Sequence, residues 1–551
     1  MAPADAATAT PRTHAAQEQR IARNFAEYES YLQRAEEYFA RGDFASAAAY
    51  CSVAAHLAVQ NHCGIFWGPR LEKILTDIAR ATETPGPAHP RPTQYKRILS
   101  IMTQAAPVGG LTRRLCQWVG ADREREHSLV LTQHRGPTPQ FVFDAFEASG
   151  GSVRYLNRTL GNQIDWARNL RKIAAGYDLI VLHTHCEDVV PILAFGAIES
   201  GKYPHVLALN HADHLFWLNP SIAHLAIDLR DAALELSVTR RGIARERNIL
   251  MPTISESIKR TRTREEAKRE LGVAPDTILM VSVARQLKYL TREGDSYAKI
   301  HAPILEKYPS VSLLVVGGAE QPDWTPYLAK FGDRLQSLPP TPNPRPYYEA
   351  ADIYVDSYPF VSSTSMMEAS GYGAPAVSLF THPNDVRITA INHFALVGNT
   401  WQARDFDEYR AMLEKLITDP SLRHDMGRKA GEAVAAAHNP PGWNAWMEAV
   451  YARAAELPPL DNRAMLATRE TPSFGELDVR HEDLFGGNWP IDQYVKSYIG
   501  VMPFGERLAH WRDLKRKGMF KNPRRAPAFL APEWLKRAVR DGLLNWPEDP
   551  H

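Results

Sequence analysis

The chain has 551 residues, room for several folding units of about 100–200 residues each. Hydrophobic residues are 44% and charged residues 23%, as in globular proteins, and 64 Lys+Arg against 63 Asp+Glu leave a net charge of +1. That balance argues against a polyanion as the main partner, so no nucleic acid is expected. Four cysteines (Cys51, Cys63, Cys116, Cys186) without a CxxC pair exclude a disulfide framework and fit a reducing compartment.

The first fifteen residues are Ala/Thr-rich, with no charged start followed by an apolar run. No stretch reaches about 18 uninterrupted apolar residues. The expectation is a disordered tail at 1–15 on a cytoplasmic protein without a spanning helix. Residues 16–83 carry apolar and Ala positions at three- and four-residue spacing, interrupted at Gly42-Asp43. They predict a helical domain whose hairpin resembles a single tetratricopeptide unit. Lacking sister repeats to stack on, it is expected to cap the next domain. The Pro-rich TPGPAHPRPTQ (84–94) reads as a linker.

From 95 to 255, short apolar runs alternate with helical patterns. RILSIMT (97–103), HSLVLTQ (127–133), GGSVRYL (150–156), DLIVLHTH (178–185) and HVLALNH (205–211) read as strands. An Ala/Leu-rich helix is expected next, then strands at LELSVT (234–239) and NILMPT (248–253). A second series fills 256–456. TREEAKRELGV (263–273) has a Thr cap, a Glu three residues on and a Gly at its end, which punctuates a helix. Strands follow at TILMVSVARQ (277–286), SLLVVGG (312–318), RLQSL (334–338), within YYEAADIYVDSYPF (347–360) and at APAVSLF (374–380). Residues 404–456 are helical, broken at NPPGWNAW.

Such alternation implies parallel βαβ units. The predicted fold class is therefore α/β, two Rossmann-like domains facing a cleft at the carboxyl ends of their strands. Residues 457–551 lack this rhythm and read as an irregular helical C-terminal tail packing on the body. From Val501 onward the tail holds eleven Lys/Arg against six Asp/Glu, interleaved with Trp511, Phe520, Phe529, Trp534 and Trp546. Peripheral contact with an anionic membrane is the secondary reading of that segment.

In the second domain, YPFVSSTSMMEASGYGAPAV sets Ser363, Thr364 and Ser365 at a strand's end, just before a helix. Loop amides and the positive end of a helix attract phosphate there, and the hydroxyls add donors. Glu368, one turn in, is in reach of a ribose hydroxyl pair. Ser365-x-x-Glu368 equally reads as a capping box that satisfies the helix's own donors.

The stretch EAADIYVDSYPFVSSTSMMEASGYGAPAVSL (349–379) resembles the signature of family 4 glycosyltransferases of the GT-B fold. It also resembles family 41 protein glycosyltransferases, in which a D-x-x-P-F-like segment precedes paired Thr and an acidic residue. The resemblance covers roughly residues 97–455. It implies that Thr364 and Ser365 hold a nucleotide diphosphate and Glu368 its ribose, with Gly371, Gly373 and Pro375 in the turn after the helix. The family 4 Glu-x7-Glu pair has Phe360 in place of its first carboxylate, which moves the reading toward family 41 or a divergent branch. VSVARQLKYL is similar to the basic segment of both families and implies Arg285 and Lys288 as cations for the departing diphosphate. Gly109-Gly110 resembles the family 4 GG loop near the transferred groups.

LHTHCED and LALNHADHLFW occupy places where the family carries a strand-end His. His211 is the first catalytic candidate, to take a proton or bond the sugar, with Asp213 to orient it or act as base. His185 is second. His183-x-His185 and His211-x-x-His214 also invite zinc, but no acidic set at metal spacing follows. The resemblance implies metal-independent transfer, so neither metal nor cofactor is expected.

The activity implied is sugar transfer from a nucleotide-sugar donor to an acceptor protein, lipid-linked sugar or saccharide. The alternatives are a nucleotide-sugar epimerase, a non-catalytic nucleotide-sugar binding protein and, least, a metal hydrolase.

Overall fold

The computed structural model describes residues 14–542, apart from 85, 91, 93, 108–109, 257, 291–294, 319–320, 488, 523 and 525. Most of the tail expected at 1–15 lies outside the described residues, as do Gly109 and Trp546. Residues 14 and 15 already belong to the first helix.

The first sheet holds β1 (Arg97–Met102), β2 (Glu126–Leu131), β3 (Val153–Tyr155), β4 (Leu179–His183), β5 (His205–Asn210), β6 (Leu225–Asp228) and β7 (Asn248–Leu250). Their order is β3-β2-β1-β4-β5-β6-β7. The second sheet holds β8 (Ile278–Val283), β9 (Val311–Val316), β10 (Leu335–Leu338), β11 (Ile353–Val355), β12 (Ala376–Leu379) and β13 (Trp401–Ala403). These run β10-β9-β8-β11-β12-β13. Every pairing is parallel. The strands read as near-continuous Val/Ile/Leu runs because helices cover both faces; β4, β5, β6 and β9 are buried throughout. Strand order reverses between β1 and β4 and between β8 and β11, which opens a crevice at the carboxyl end of each sheet. This is the GT-B architecture expected from the sequence.

One stretch is inverted relative to expectation. LELSVT is not a strand; it lies inside the helix Asp231–Arg241, with Ala233, Leu236, Ser237 and Arg241 buried at helical spacing. The segment read as Ala/Leu helix contains β6 instead. Short, fully buried apolar runs have no period that separates strand from helix. The three-residue β13 has too few residues to show a pattern.

The helix Pro440–Glu456 leaves the second domain and returns to the first. Trp443, Met447, Val450, Tyr451 and Ala454 are buried in one cluster with Trp118, Leu179, Val181 and Met251. Its polar edges are satisfied: Trp443 Nε1 donates to the Pro252 carbonyl at 2.7 Å, and Trp118 Nε1 to the Tyr451 hydroxyl at 2.9 Å.

Before the first sheet stand the helices His14–Ala40, Phe44–Gln60 and Pro69–Ala81. Asp43 caps the second, accepting from the Ser46 N–H at 3.0 Å, after a turn that needs Gly42 at φ +76°. Ala47, Leu57, Leu71 and Leu75 share one core with Leu99, Ile101 and Trp166 of the first domain. The C-terminal segment folds as Glu476–Phe485, Ile491–Tyr498, Phe504–Arg516 and Glu533–Gly542. It is pinned to the N-terminal helices: Arg20 pairs with buried Glu482 at 2.7 Å, buried His62 donates to Asp478 at 3.0 Å, and Tyr50 donates to Glu506 at 2.7 Å. Trp511, Phe520 and Phe529 gather on Ile499 and Leu514 as a separate small cluster.

Candidate active site

A cleft of about 480 Å³ lies between the two sheets and is lined from both. On the second-domain side the wall begins where β8 ends. Gly317, at the end of β9, sits at φ +85°, and a Cβ there would come 2.2 Å from the Ala284 carbonyl oxygen. Only glycine allows β9 to press on the start of the next loop. That loop turns through Gln286–Tyr289 and brings Arg285 and Lys288 to the cleft. Arg285 is exposed at the rim. The Lys288 ammonium donates to the Val361 carbonyl at 2.9 Å and lies 4.6 Å over the Phe360 ring. Burial draws its pKa down to about 8, against the pull of Asp356.

The loop from β11 to the next helix is organised from beneath by Asp356. Its buried carboxylate accepts the N–H groups of Ser357 and Ser362, each at 2.9 Å. Burial raises its pKa to about 7, opposed first by the Ser362 N–H. The helix Ser363–Gly371 then starts with Ser362 as its cap residue, and that serine makes no capping hydrogen bond from its side chain. Ser363 and Thr364 line the cleft at this uncapped start. The capping-box alternative is thereby overturned: Ser365 is the third helical residue, and its hydroxyl accepts from Ser362 Oγ at 3.1 Å. Glu368 is free of any cap role. Its carboxylate lies 4.0 Å from Arg114 of the facing domain, and burial raises its pKa while Arg114 opposes.

On the first-domain side, His211 follows β5. Its Nε2 donates to the Thr184 carbonyl at 2.9 Å. A carbonyl carries no hydrogen, so Nε2 holds the proton and Nδ1 is the basic nitrogen of the neutral ring. Burial lowers the His211 pKa, the Thr184 bond opposing. Asp213 does not orient His211. Both its oxygens accept from Arg230, each at 2.6 Å, and His214 Nδ1 stands 3.6 Å away. Burial would raise its pKa, but Arg230 outweighs that and holds it far below the carboxylate range. So clamped, it is a poor base, and it serves to fix Arg230, which also donates to the Ala390 carbonyl across the domain seam at 3.0 Å.

His185 is displaced from its expected place. It faces Glu187 at 3.8 Å, and His183, one residue pair earlier on β4, lines the cleft instead. β4 ends at His183, so His185 lies in the loop beyond the strand. Burial takes the His183 pKa down to about 3, so it is neutral. Gly110 opens the helix Gly110–Ala121 at the mouth of the cleft. Among the described residues, no three His, Cys, Asp or Glu side chains group so as to hold a metal ion, and His183, His185, His211 and His214 do not converge.

Several lining residues were not singled out from the sequence: Arg114, Trp118, Arg230, Trp443 and Phe485. The lone arginine ending the buried run LAIDLR was a usable signal for Arg230. Phe485 had none, since it arrives from the tail, more than a hundred residues beyond the motifs.

No model of a known protein family matches this chain, and no curated protein matches its sequence. Solved structures do resemble it. A glycosyltransferase from Rickettsia africae aligns at TM-score 0.50 and 10% identity, over 66% of this chain and 100% of that one. HepE from Anabaena, solved in complex with UDP, aligns at 0.49 and 14%, over 64% and 99%. An O-GlcNAc transferase mutant from Thermobaculum terrenum aligns at 0.46 and 15%, over 80% and 83%. The likeness to the Rickettsia structure establishes the shared two-domain fold.

Proposed function

We propose that this protein is a metal-independent glycosyltransferase that moves a sugar from a nucleotide-sugar donor to a protein, lipid-linked or saccharide acceptor. One observation carries the reading. Lys288, Arg285 and the uncapped start of the helix at Ser363 meet in one wall of the cleft, and the basic nitrogen of a neutral His211 belongs to the other.

The donor's diphosphate lies against Lys288, Arg285, Ser363 and Thr364, with Ser365 behind them and Glu368 on the ribose. The acceptor's nucleophilic atom attacks the anomeric carbon, and its proton passes to His211. The bond from that carbon to the diphosphate oxygen breaks, and its electron pair leaves with the nucleoside diphosphate. Fixed cations and helix amides stabilise the charge that develops on the leaving group. Gly110, at the start of its helix, borders the acceptor side of the cleft, and His185 pairs with the nearby Glu187. All four cysteines are unpaired, which supports a reducing, cytoplasmic setting. The burial of Tyr494, Val495, Tyr498, Val501 and Met502 in the core shared with the N-terminal helices supports a tail folded on the body over one committed to a membrane.

Thermal shift with a panel of UDP-, GDP-, dTDP- and ADP-sugars tests the reading, because a ligand of the folded state raises its stability with affinity. At least one donor should raise the melting temperature by several degrees and be turned over in the presence of EDTA. Loss of turnover with EDTA, restored by one divalent ion, would overturn metal independence. Donor isomerisation alone would make the protein an epimerase, and binding without turnover a non-catalytic module.

A further inference from the structure

The C-terminal tail ends one of its helices in the cleft, and Leu477 of that helix packs against Phe380, Val386 and Ala390 of the second domain. In the helix Glu476–Phe485, Asp478 is held by His62 at 3.0 Å and by Arg240 at 2.8 Å. His481 packs its ring 4.4 Å from His62 and donates to the main-chain carbonyl of His214. These contacts fix the helix to the N-terminal segment and to the first domain. Its last residue, Phe485, lines the cleft. There its ring centroid lies 4.5 Å from that of His214, which belongs to the first domain. It lies 4.6 Å from that of Phe360, which belongs to the second, at an interplanar angle of 86°. Phe360 in turn carries the Lys288 ammonium on its face.

Three aromatic rings from three parts of the chain therefore form one wall, next to the cation assigned to the diphosphate. In a nucleotide-sugar the group directly attached to the diphosphate is the sugar ring. A pyranose has an apolar face of C–H groups, and aromatic walls with a few placed polar groups are how pockets hold such ligands. A wall of this kind distinguishes sugars by the hydroxyls that break the flat face.

Resting on the transferase reading above, we propose that Phe485 is a specificity-determining residue: with His214 and Phe360 it forms the surface on which the donor's hexose ring lies. The tail is on this view a working part of the site.

The test compares the full-length wild type with Phe485→Ala and Phe485→Leu, the latter keeping apolar bulk without a ring. UDP-, GDP-, dTDP- and ADP-glucose, the matching galactose donors and the four free nucleoside diphosphates are the probes. Both variants should bind the free diphosphate preferred by the wild type within about twofold. Both should lose about tenfold in kcat/KM for the preferred donor, and the glucose-to-galactose ratio should fall toward one. Wild-type turnover with that ratio unchanged in a folded Phe485→Leu variant would overturn this proposal alone. A wild type that binds none of the probes would overturn the transferase reading and this proposal with it.

Discussion

Lys288 is a cation in a place that disfavours its charge. Its pKa near 8 means that the ammonium is the dominant form below that pH and is lost as pH rises through it. An anionic donor stabilises the ammonium, so donor affinity should be highest below pH 8 and fall above it by up to about tenfold per pH unit. Isothermal titration with the active donor between pH 6.5 and 9.5 reads this out. Lys288→Met should bind at least tenfold more weakly and show a flat profile; a sloping profile in that variant would assign the titration elsewhere. His211 has the opposite requirement, since a base must be unprotonated. With its pKa lowered by burial, it stays neutral at physiological pH, and activity should fail only as pH drops below the ordinary imidazole range. His211→Ala should cut kcat by about 10²–10⁴-fold with the donor's Kd little changed. An unaltered kcat would leave His211 as no more than a brace for the Thr184 carbonyl.

At the scale of single elements, the helix Ser363–Gly371 shows why sequence spacing misleads about which residue is free to act. Ser365 and Glu368 have capping-box spacing, but the loop over Asp356 ends earlier, so the helix begins at Ser363 and the box never forms. Glu368 thus contributes nothing to the helix end. Glu368→Ala should leave the melting temperature within about two degrees of the wild type and weaken donor binding about tenfold, or about 1.4 kcal/mol. A clear loss of stability with intact binding would restore the structural role. The same logic separates what was legible from what was not. Most strands of both sheets could be read because they are apolar runs between turn residues, and Thr263–Glu266 is a true capping box because the helix starts where its pattern says. His211 could be placed because it directly follows β5, and Lys288, Ser363 and Thr364 because they lie in the turn or helix start that comes next after a legible strand. The Asp213–Arg230 clamp could not, since it joins the exits of β5 and β6, and β6 had been read as helix. His185 was read as part of a strand that stops at His183, and of the two only His183 lines the cleft.

For the whole molecule, the question is why a two-domain body carries 95 further residues. Net charge left a surface-binding appendage as the secondary reading, and burial supports the primary one, a tail packed on the body. Beyond Leu460 the chain supplies Glu482 to Arg20, Asp478 to His62 and Arg240, and Glu470 to Tyr28, all in buried positions. Removing one partner of a buried ion pair costs about 3–5 kcal/mol, and a domain's entire stability is about 5–15 kcal/mol. Truncation after Leu460 removes several such partners at once and also uncovers the side of the N-terminal helices where Tyr494, Val495, Tyr498, Val501 and Met502 join their core. The truncated chain should therefore be insoluble, or lose its cooperative melting transition. In the last helices Arg507 and Arg537 are themselves buried, Arg507 on the Met502 and Leu530 carbonyls, and full-length protein should not sediment with phosphatidylserine vesicles at 0.15 M salt, where surface attraction is screened within about 8 Å. A soluble, active truncation with a wild-type melting temperature would show that the tail is dispensable to the fold. Coupled with loss of vesicle binding by that truncation, it would return the tail to the membrane.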